Sequence, residues 1–215
     1  MTAARRGRFI TLEGGEGAGK STQQRRLAAR LVAAGLTVVA TREPGGSPRA
    51  EEIRALVLSG AAERLGPTAE ALLFAAARAD HLDKTIRPAL ARGDWVVCDR
   101  FADSTRAYQG AAGGIDPHVV QALERIVVGD TRPDLTLVLD LPVETGLARA
   151  HARRGSGGVD RFEGEPRAFH DALRRAFTAI AAREPERCVL IDASAAEDDV
   201  AAVVWTAVAG RLGLA

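Results

Sequence analysis

The sequence predicts a doubly wound α/β fold, with a five-stranded parallel sheet flanked by helices. Three observations carry that prediction. Short apolar runs at 8–12, 37–41, 95–99, 135–140 and 188–191 are separated by longer stretches of helical periodicity. The runs are apolar throughout rather than alternating, as a parallel sheet covered on both faces requires. The first run passes through a glycine-rich loop into a helix, the order of a phosphate-binding strand–loop–helix unit. At 215 residues and 47% hydrophobic, with no repeat and no linker, the chain reads as one domain spanning 1–215.

Taken in order, Arg8-Phe9-Ile10-Thr11-Leu12 is the first strand, and residues 21–34 form a helix with Leu27, Leu31 and Val32 as its apolar stripe. Between them, Gly14-Gly15-Glu16-Gly17-Ala18-Gly19-Lys20-Ser21 is a complete G-x-x-x-x-G-K-[ST] match, followed by Thr22. Four glycines let successive backbone N–H groups turn inward around a phosphate, and the helix N-terminus adds partial positive charge. Lys20 would reach the β- and γ-phosphates, and the Ser21 hydroxyl would ligate Mg²⁺. Lys20 is one of two lysines against 27 arginines, in a chain without asparagine. This compositional bias devalues arguments from arginine number and makes a retained lysine more informative.

The stretch 68–90 reads as one long helix. Phe74 and Arg78, four apart, share a face of it, so a ring could stack on a base while a guanidinium bonds the base's carbonyl edge. Periodicity alone equally suits Phe74 to the core. The strand 95–99 ends in Asp99, a carboxylate at a carboxyl end where Mg²⁺ would lie, and Arg100 follows with a planar guanidinium suited to a second phosphate. Helices are expected at 117–128, 143–153, 166–183 and 198–212, the last with no role beyond packing. The glycine-rich run 154–159 reads as a flexible connection.

A formal net charge of +1 gives no reason for bulk attraction to nucleic acid or membrane. No run approaches a membrane span, and the basic residues 1–8 lack a following apolar segment of signal-peptide length. Cys98 and Cys188 have no metal-ligand spacing and read as buried thiols of a reducing compartment, so a cytoplasmic protein is expected.

Several motifs occur together in one order. They are Glu13–Thr22, Thr41-Arg42-Glu43-Pro44-Gly45-Gly46, Phe74-x-x-x-Arg78, Asp99-Arg100-Phe101-x-x-Ser104-Thr105-x-x-Tyr108-Gln109-Gly110 and Arg132-Pro133-Asp134-Leu135-Thr136. From Phe9 to about Ile191 the chain thereby resembles bacterial thymidylate kinases, phosphate-loop nucleoside monophosphate kinases. The resemblance implies transfer of the ATP γ-phosphoryl group to dTMP, with Mg²⁺, in a homodimer whose helices beside the acceptor site pack together. It implies that Phe74 stacks on thymine and Arg78 bonds its carbonyl edge. Ser104 and Thr105 would lie near the base, Gln109 near base or sugar, and Tyr108 against the sugar, disfavouring a 2′-hydroxyl. Arg54 and Arg100 would hold the 5′-phosphate, with Glu16 and Glu43 near the sugar and the phosphate–metal region. Where relatives have Tyr or His, Phe101 offers packing only.

Some thymidylate kinases carry a basic residue in the variable part of the loop, but Gly15-Glu16-Gly17-Ala18 has none. The nearest cations are Arg149, Arg153, Arg154 and Arg161. This resembles the arrangement in which a short arginine-rich lid, about 149–163, closes over ATP, with Arg149 at the nucleotide and Arg153 and Arg161 catalytic beside Lys20, Arg100 and Glu16. The same arginines also suit a solvated basic helix end. The acceptor phosphate is already an anion, so no general base is needed, and His81, His118, His151 and His170 are expected bystanders.

Three other readings compete. A kinase of this fold with another acceptor is disfavoured by the Phe74/Arg78 pair and the 104–109 run. A guanine-nucleotide switch lacks the asparagines of Asn-Lys-x-Asp. A non-catalytic nucleotide-binding regulator would not need intact Lys20, Ser21 and Asp99.

Overall fold

The computed structural model describes residues 6–154 and 161–214. Five strands, β1 (Phe9–Gly14), β2 (Val38–Arg42), β3 (Trp95–Asp99), β4 (Leu135–Asp140) and β5 (Cys188–Asp192), form one parallel sheet in the order β2-β3-β1-β4-β5. The strand carrying the phosphate loop is therefore central, and its neighbour β3 ends in Asp99 at the same edge. In an open sheet of this type, ligands bind beyond the carboxyl ends of the strands.

Alternate strand residues feed two faces. Ile10, Leu12, Val97, Leu137 and Leu139 pack beneath α1 (Lys20–Ala33) and α9 (Glu197–Leu212). Phe9, Val96 and Cys98 meet Leu82, Ile86, Leu90 and Phe101, while Val138 meets Leu173 and Phe177 of α8 (Arg167–Arg183). Helices cover both faces of the three central strands, which explains the absence of alternation in their sequences.

Two expectations change. The single helix 68–90 is α3 (Pro67–His81), a π-helical turn Leu82–Ile86 and α4 (Arg87–Ala91). Pro88 has no N–H to give to a carbonyl four residues earlier, and its ring crowds that carbonyl, so the helix widens by one residue before it. The segment after the Thr41–Gly46 motif, assigned no element from sequence, is helix α2 (Pro48–Leu58) with Pro48 at its start. The 102–112 stretch is likewise helical, as α5 (Ala102–Thr105) running into a π-helical Arg106–Ala112. Helices α6 (Pro117–Val127) and α7 (Val143–Arg154) lie where the periodicity places them. The glycines at 155–158 lie outside the described residues. No helix among the described residues is long and apolar enough to cross a membrane.

Candidate active site

A cavity of about 300 Å³ opens at the carboxyl ends of β1 and β3, and most of the residues singled out from sequence line it. On one side are Glu16, Gly17, Gly19, Lys20 and Ser21, with Asp99 and Arg100 from β3 and the loop after it. On the other are Glu43, Arg54, Phe74, Arg78, Ser104, Thr105, Tyr108 and Gln109. Arg153 also reaches its rim. Gly14 and Gly15 lie behind the loop, at a separate small cavity. Ala18, Thr22, Arg149 and Arg161 are not among the lining residues.

The phosphate loop is fixed by close backbone approach. Gly17 has φ 69°, and a Cβ there would lie 1.9 Å from the Gly146 carbonyl oxygen in α7. Gly19 caps α1 with φ 88°. Lys20 is buried, and its ammonium donates to the Gly15 carbonyl at 2.6 Å. Burial and the nearby Arg100 pull its pKa down to about 8, against the opposing pull of Glu16, Asp99 and Glu13. At neutral pH it remains largely an ammonium.

Ser21 Oγ donates to Asp99 Oδ2. The other carboxylate oxygen, Asp99 Oδ1, is buried without a hydrogen-bond partner among the described residues. An orphaned buried carboxylate oxygen beside a serine hydroxyl fits a hard divalent cation completed by phosphate and water oxygens. The described residues contain no cluster of three or more His, Cys, Asp or Glu that could hold a metal ion.

Arg100 has φ 69°, the one non-glycine residue in the left-handed region among those described. Its own N–H is taken by the Leu12 carbonyl at 2.9 Å, and the next N–H, of Phe101, by Glu13 Oε1 at 2.7 Å. These bonds hold a conformation that arginine does not adopt readily. The guanidinium thereby turns back over the loop, donating to Glu16 Oε1 at 2.7 Å, the Gly14 carbonyl at 3.2 Å and Ser104 Oγ at 3.3 Å, with its carbon 4.8 Å from the Tyr108 ring centroid. Tyr108 also donates to Glu16 Oε1, at 2.5 Å. Burial alone would raise the Glu16 pKa; Arg100, Lys20 and the Tyr108 hydroxyl outweigh it and hold the carboxyl down to about 2. Glu16 is therefore a permanent anion that orients the arginine and the phenol.

At the opposite end, Arg78 is buried and donates to Glu43 Oε2 at 2.7 Å, the Phe101 carbonyl at 3.0 Å and Thr105 Oγ1 at 3.1 Å. Phe74 is half-buried on the cavity wall, where its ring meets Phe162 at 6.4 Å. The Phe101 ring is buried edge-on to Phe9 at 4.9 Å; its side chain packs, while its backbone joins the polar network. Arg54 donates to the Pro44 carbonyl at 2.6 Å.

Several site residues were not singled out from sequence. Glu13 is fully buried and accepts from Phe101 N, Ser104 N at 3.2 Å and Ser104 Oγ at 2.6 Å. Burial, reinforced by Asp103, raises its pKa to about 7 despite those donors. His81, expected to be a bystander, is fully buried and joins Glu43 Oε1 at 3.0 Å to Thr41 Oγ1 at 2.7 Å, supporting the carboxylate that holds Arg78. Phe162 and Glu163 also line the cavity. A glutamate preceding a phosphate loop and an aromatic following a glycine run were the only signals available.

Two expected lid arginines do not line this cavity. Arg149 donates to the carbonyls of Ala193 at 3.0 Å and Ser194 at 3.4 Å, after β5. Arg161 pairs with buried Glu70 of α3 and lines a neighbouring cavity instead. The attraction of an otherwise unpaired buried carboxylate explains that placement. Arg153 is exposed, 3.5 Å from Glu163. Cys98 and Cys188 are both buried free thiols; burial pushes the first well above the usual thiol range and the second up to about 12.

The sequence matches known proteins over nearly its whole length. A family model described as thymidylate kinase matches residues 12–204. A thymidylate kinase of Bradyrhizobium diazoefficiens is 62% identical over 207 residues, covering 96% of this chain and 91% of the relative. One of Nitrobacter winogradskyi is 63% identical over 208 residues, covering 97% and 90%. The crystal structure of thymidylate kinase from Ehrlichia chaffeensis superimposes with a TM-score of 0.77 at 32% identity, covering 94% of this chain and 99% of that one. The chain is an enzyme of the thymidylate kinase family.

Proposed function

We propose that the cavity binds Mg·ATP on its phosphate-loop side and dTMP on the Phe74/Arg78 side, and transfers the γ-phosphoryl group between them. One observation carries this reading. A single cavity joins Lys20, Ser21 and Asp99 to Phe74 and Arg78, with the Arg100 guanidinium between the two groups. Phosphoryl transfer needs alignment and charge neutralisation more than covalent chemistry. Lys20 and the loop N–H groups would hold the donor phosphates. Arg100, anchored by Glu16, would meet the acceptor phosphate, with Arg54 beside it. Phe74 and Arg78 would read the pyrimidine, Arg78 through a guanidinium already oriented by Glu43. Thr105, Gln109 and Tyr108 would complete the base and sugar pocket. Asp99 Oδ1 and the Ser21 hydroxyl would hold Mg²⁺, which when bound neutralises charge on the β- and γ-phosphate oxygens. The acceptor phosphate needs no base, and no histidine lines the cavity.

Charge on the transferring group is assigned to Arg153, on the cavity rim, rather than to Arg161. A homodimer is proposed through α2, α3 and α6, where α3 packs against each of the other two and the exposed apolar side chains include Leu56, Leu72, Val119 and Ile126. A cytoplasmic location fits two buried free thiols.

The deciding experiment is ADP release with ATP and, in turn, dTMP, dUMP, dCMP and AMP, for the wild type and Lys20→Ala. Preference for dTMP, with turnover falling by about 10²-fold or more in the variant, is expected. Equal use of AMP, or an active Lys20→Ala enzyme, overturns the assignment.

A further inference from the structure

Glu70 takes no part in the phosphoryl-transfer site described above, yet it is 4% exposed at the edge of that site. It lies four residues before Phe74 and eight before Arg78, on the same face of α3. Its two carboxylate oxygens serve different parts of the molecule. Oε2 receives Arg161 Nη1, at the start of the segment leading to α8. Oε1 receives Gln109 Nε2 at 3.3 Å, from the π-helical segment that walls the dTMP side. Beside this pair the Arg161 guanidinium carbon sits 5.1 Å from the Phe162 ring centroid. Phe162, 9% exposed, is edge-on to Tyr108 at 5.3 Å and tilted against Phe74 at 6.4 Å.

Gln109, Tyr108 and Phe162 line both the main cavity and a second cavity of about 250 Å³ that also contacts Glu70 and Arg161. They form the wall between the two. An ionised carboxylate buried to this extent is stable only while paired, so drawing Arg161 away toward ATP phosphates would strand it. Arg153, whose side chain is 65% exposed, lies 3.5 Å from Glu163 and is itself far more open to solvent than Arg161.

We propose that Glu70 is a positioning residue: by clamping Arg161 and Gln109 with its two oxygens, it fixes the start of the segment leading to α8 and sets Phe162 and Gln109 as the wall of the acceptor pocket. This rests on the reading that the cavity takes dTMP. The clamp acts on acceptor binding, not on the chemical step. Glu70 and Arg161 act as one unit, so losing either loses the whole effect.

The test is steady-state kinetics of the full-length enzyme with ATP and dTMP, comparing Glu70→Gln, Arg161→Ala, Arg161→Lys and the double variant Glu70→Gln/Arg161→Ala. In Glu70→Gln and in Arg161→Ala the KM for dTMP should rise about tenfold, with kcat and the KM for ATP within about threefold of wild type. Arg161→Lys should recover most of the loss, and the double variant should be no worse than either single one. A fall in kcat of about 10³-fold in Arg161→Ala at unchanged dTMP KM would instead place Arg161 on the transferring phosphoryl group and overturn the clamp. Additive effects, or an unchanged dTMP KM, overturn it as well. If Glu70→Gln does not fold, the Arg161 series decides alone, because that side chain is partly exposed at the second cavity. Wild-type enzyme that fails to phosphorylate dTMP would refute the acceptor assignment, an outcome separate from unaltered kinetics in the variants.

Discussion

Arg100 and Glu13 show how a cavity-facing guanidinium is held in place by a buried carboxyl that does not itself line the cavity. The left-handed backbone at Arg100 is conformationally costly, and the buried Glu13 carboxyl keeps it by accepting from Phe101 N and from both N–H and O–H of Ser104. Glu13 titrates near 7 in the folded state, above its ordinary value of 4.5. The folded protein therefore binds more protons than the unfolded chain between those values. The Glu13 contribution to stability is complete below about pH 4.5 and is lost as pH rises through about 7. Denaturant midpoints measured from pH 4.5 to 8 should fall more steeply for the wild type than for Glu13→Gln; parallel curves would count against this assignment. Arg153 gives the sharpest kinetic contrast. Its side chain is 65% exposed, and a solvated helix-end arginine is worth almost nothing when removed. If it meets the transferring phosphoryl charge, Arg153→Ala should lower kcat by about 10³-fold while changing either KM little. Wild-type kcat at saturating Mg·ATP and dTMP would remove Arg153 from that role and leave the charge to Lys20, Arg100 and Mg²⁺, or to Arg149 or Arg154.

Among elements, the contact between the phosphate loop and α7 is the tightest at the site. Gly17 faces the Gly146 carbonyl, and a Cβ on Gly146 would in turn stand 2.4 Å from the Glu16 carbonyl. Two glycines from different elements thus permit one close approach, which seats the loop on the helix that carries Arg149 and Arg153. Gly146 has an ordinary φ, so alanine fails there by crowding alone. Gly146→Ala should separate loop from helix, at about 1–3 kcal/mol in stability. The KM for ATP should rise more than that for dTMP, as measured by initial rates beside thermal melting. An equal change in both constants would mean that the contact supports the fold and not the donor site specifically.

For the whole molecule, the helices beside the acceptor pocket carry more exposed apolar surface than their helical packing uses. Ile126 is 75% exposed and Leu72 52% exposed, on helices that already contact one another. Exposed apolar side chains on neighbouring helices are what the proposed homodimer would cover. Sedimentation equilibrium should give twice the chain mass for wild type and a single chain for Ile126→Glu, with the fold retained by circular dichroism. A monomeric wild type would refute the homodimer. Because α3 carries Glu70, Phe74 and Arg78 as well as Leu72, such a dimer would brace the helix proposed to read the base.

What the sequence determined by itself was everything set by local pattern. Apolar runs placed the five strands to within two residues at either end, because the three central strands are buried on both faces and the two edge strands still carry apolar residues against the helices. The phosphate loop, Asp99 and Arg100 were legible because their chemistry needs fixed spacing. Helix α2 was not read, since alanine and charged residues on all sides give little period; Ser47-Pro48 was the start signal available. The tertiary structure decided the supporting network. Glu13 and Ser104, and Glu70 and Arg161, are each 91 positions apart, and Glu43 and His81 are 38 apart. A buried carboxylate must find partners, but which partners depends on how the chain returns to the sheet edge. For the same reason the arginine count around the glycine run could not distinguish Arg153 on the cavity rim from Arg161 held by Glu70. The difference between them is a buried anion on another helix.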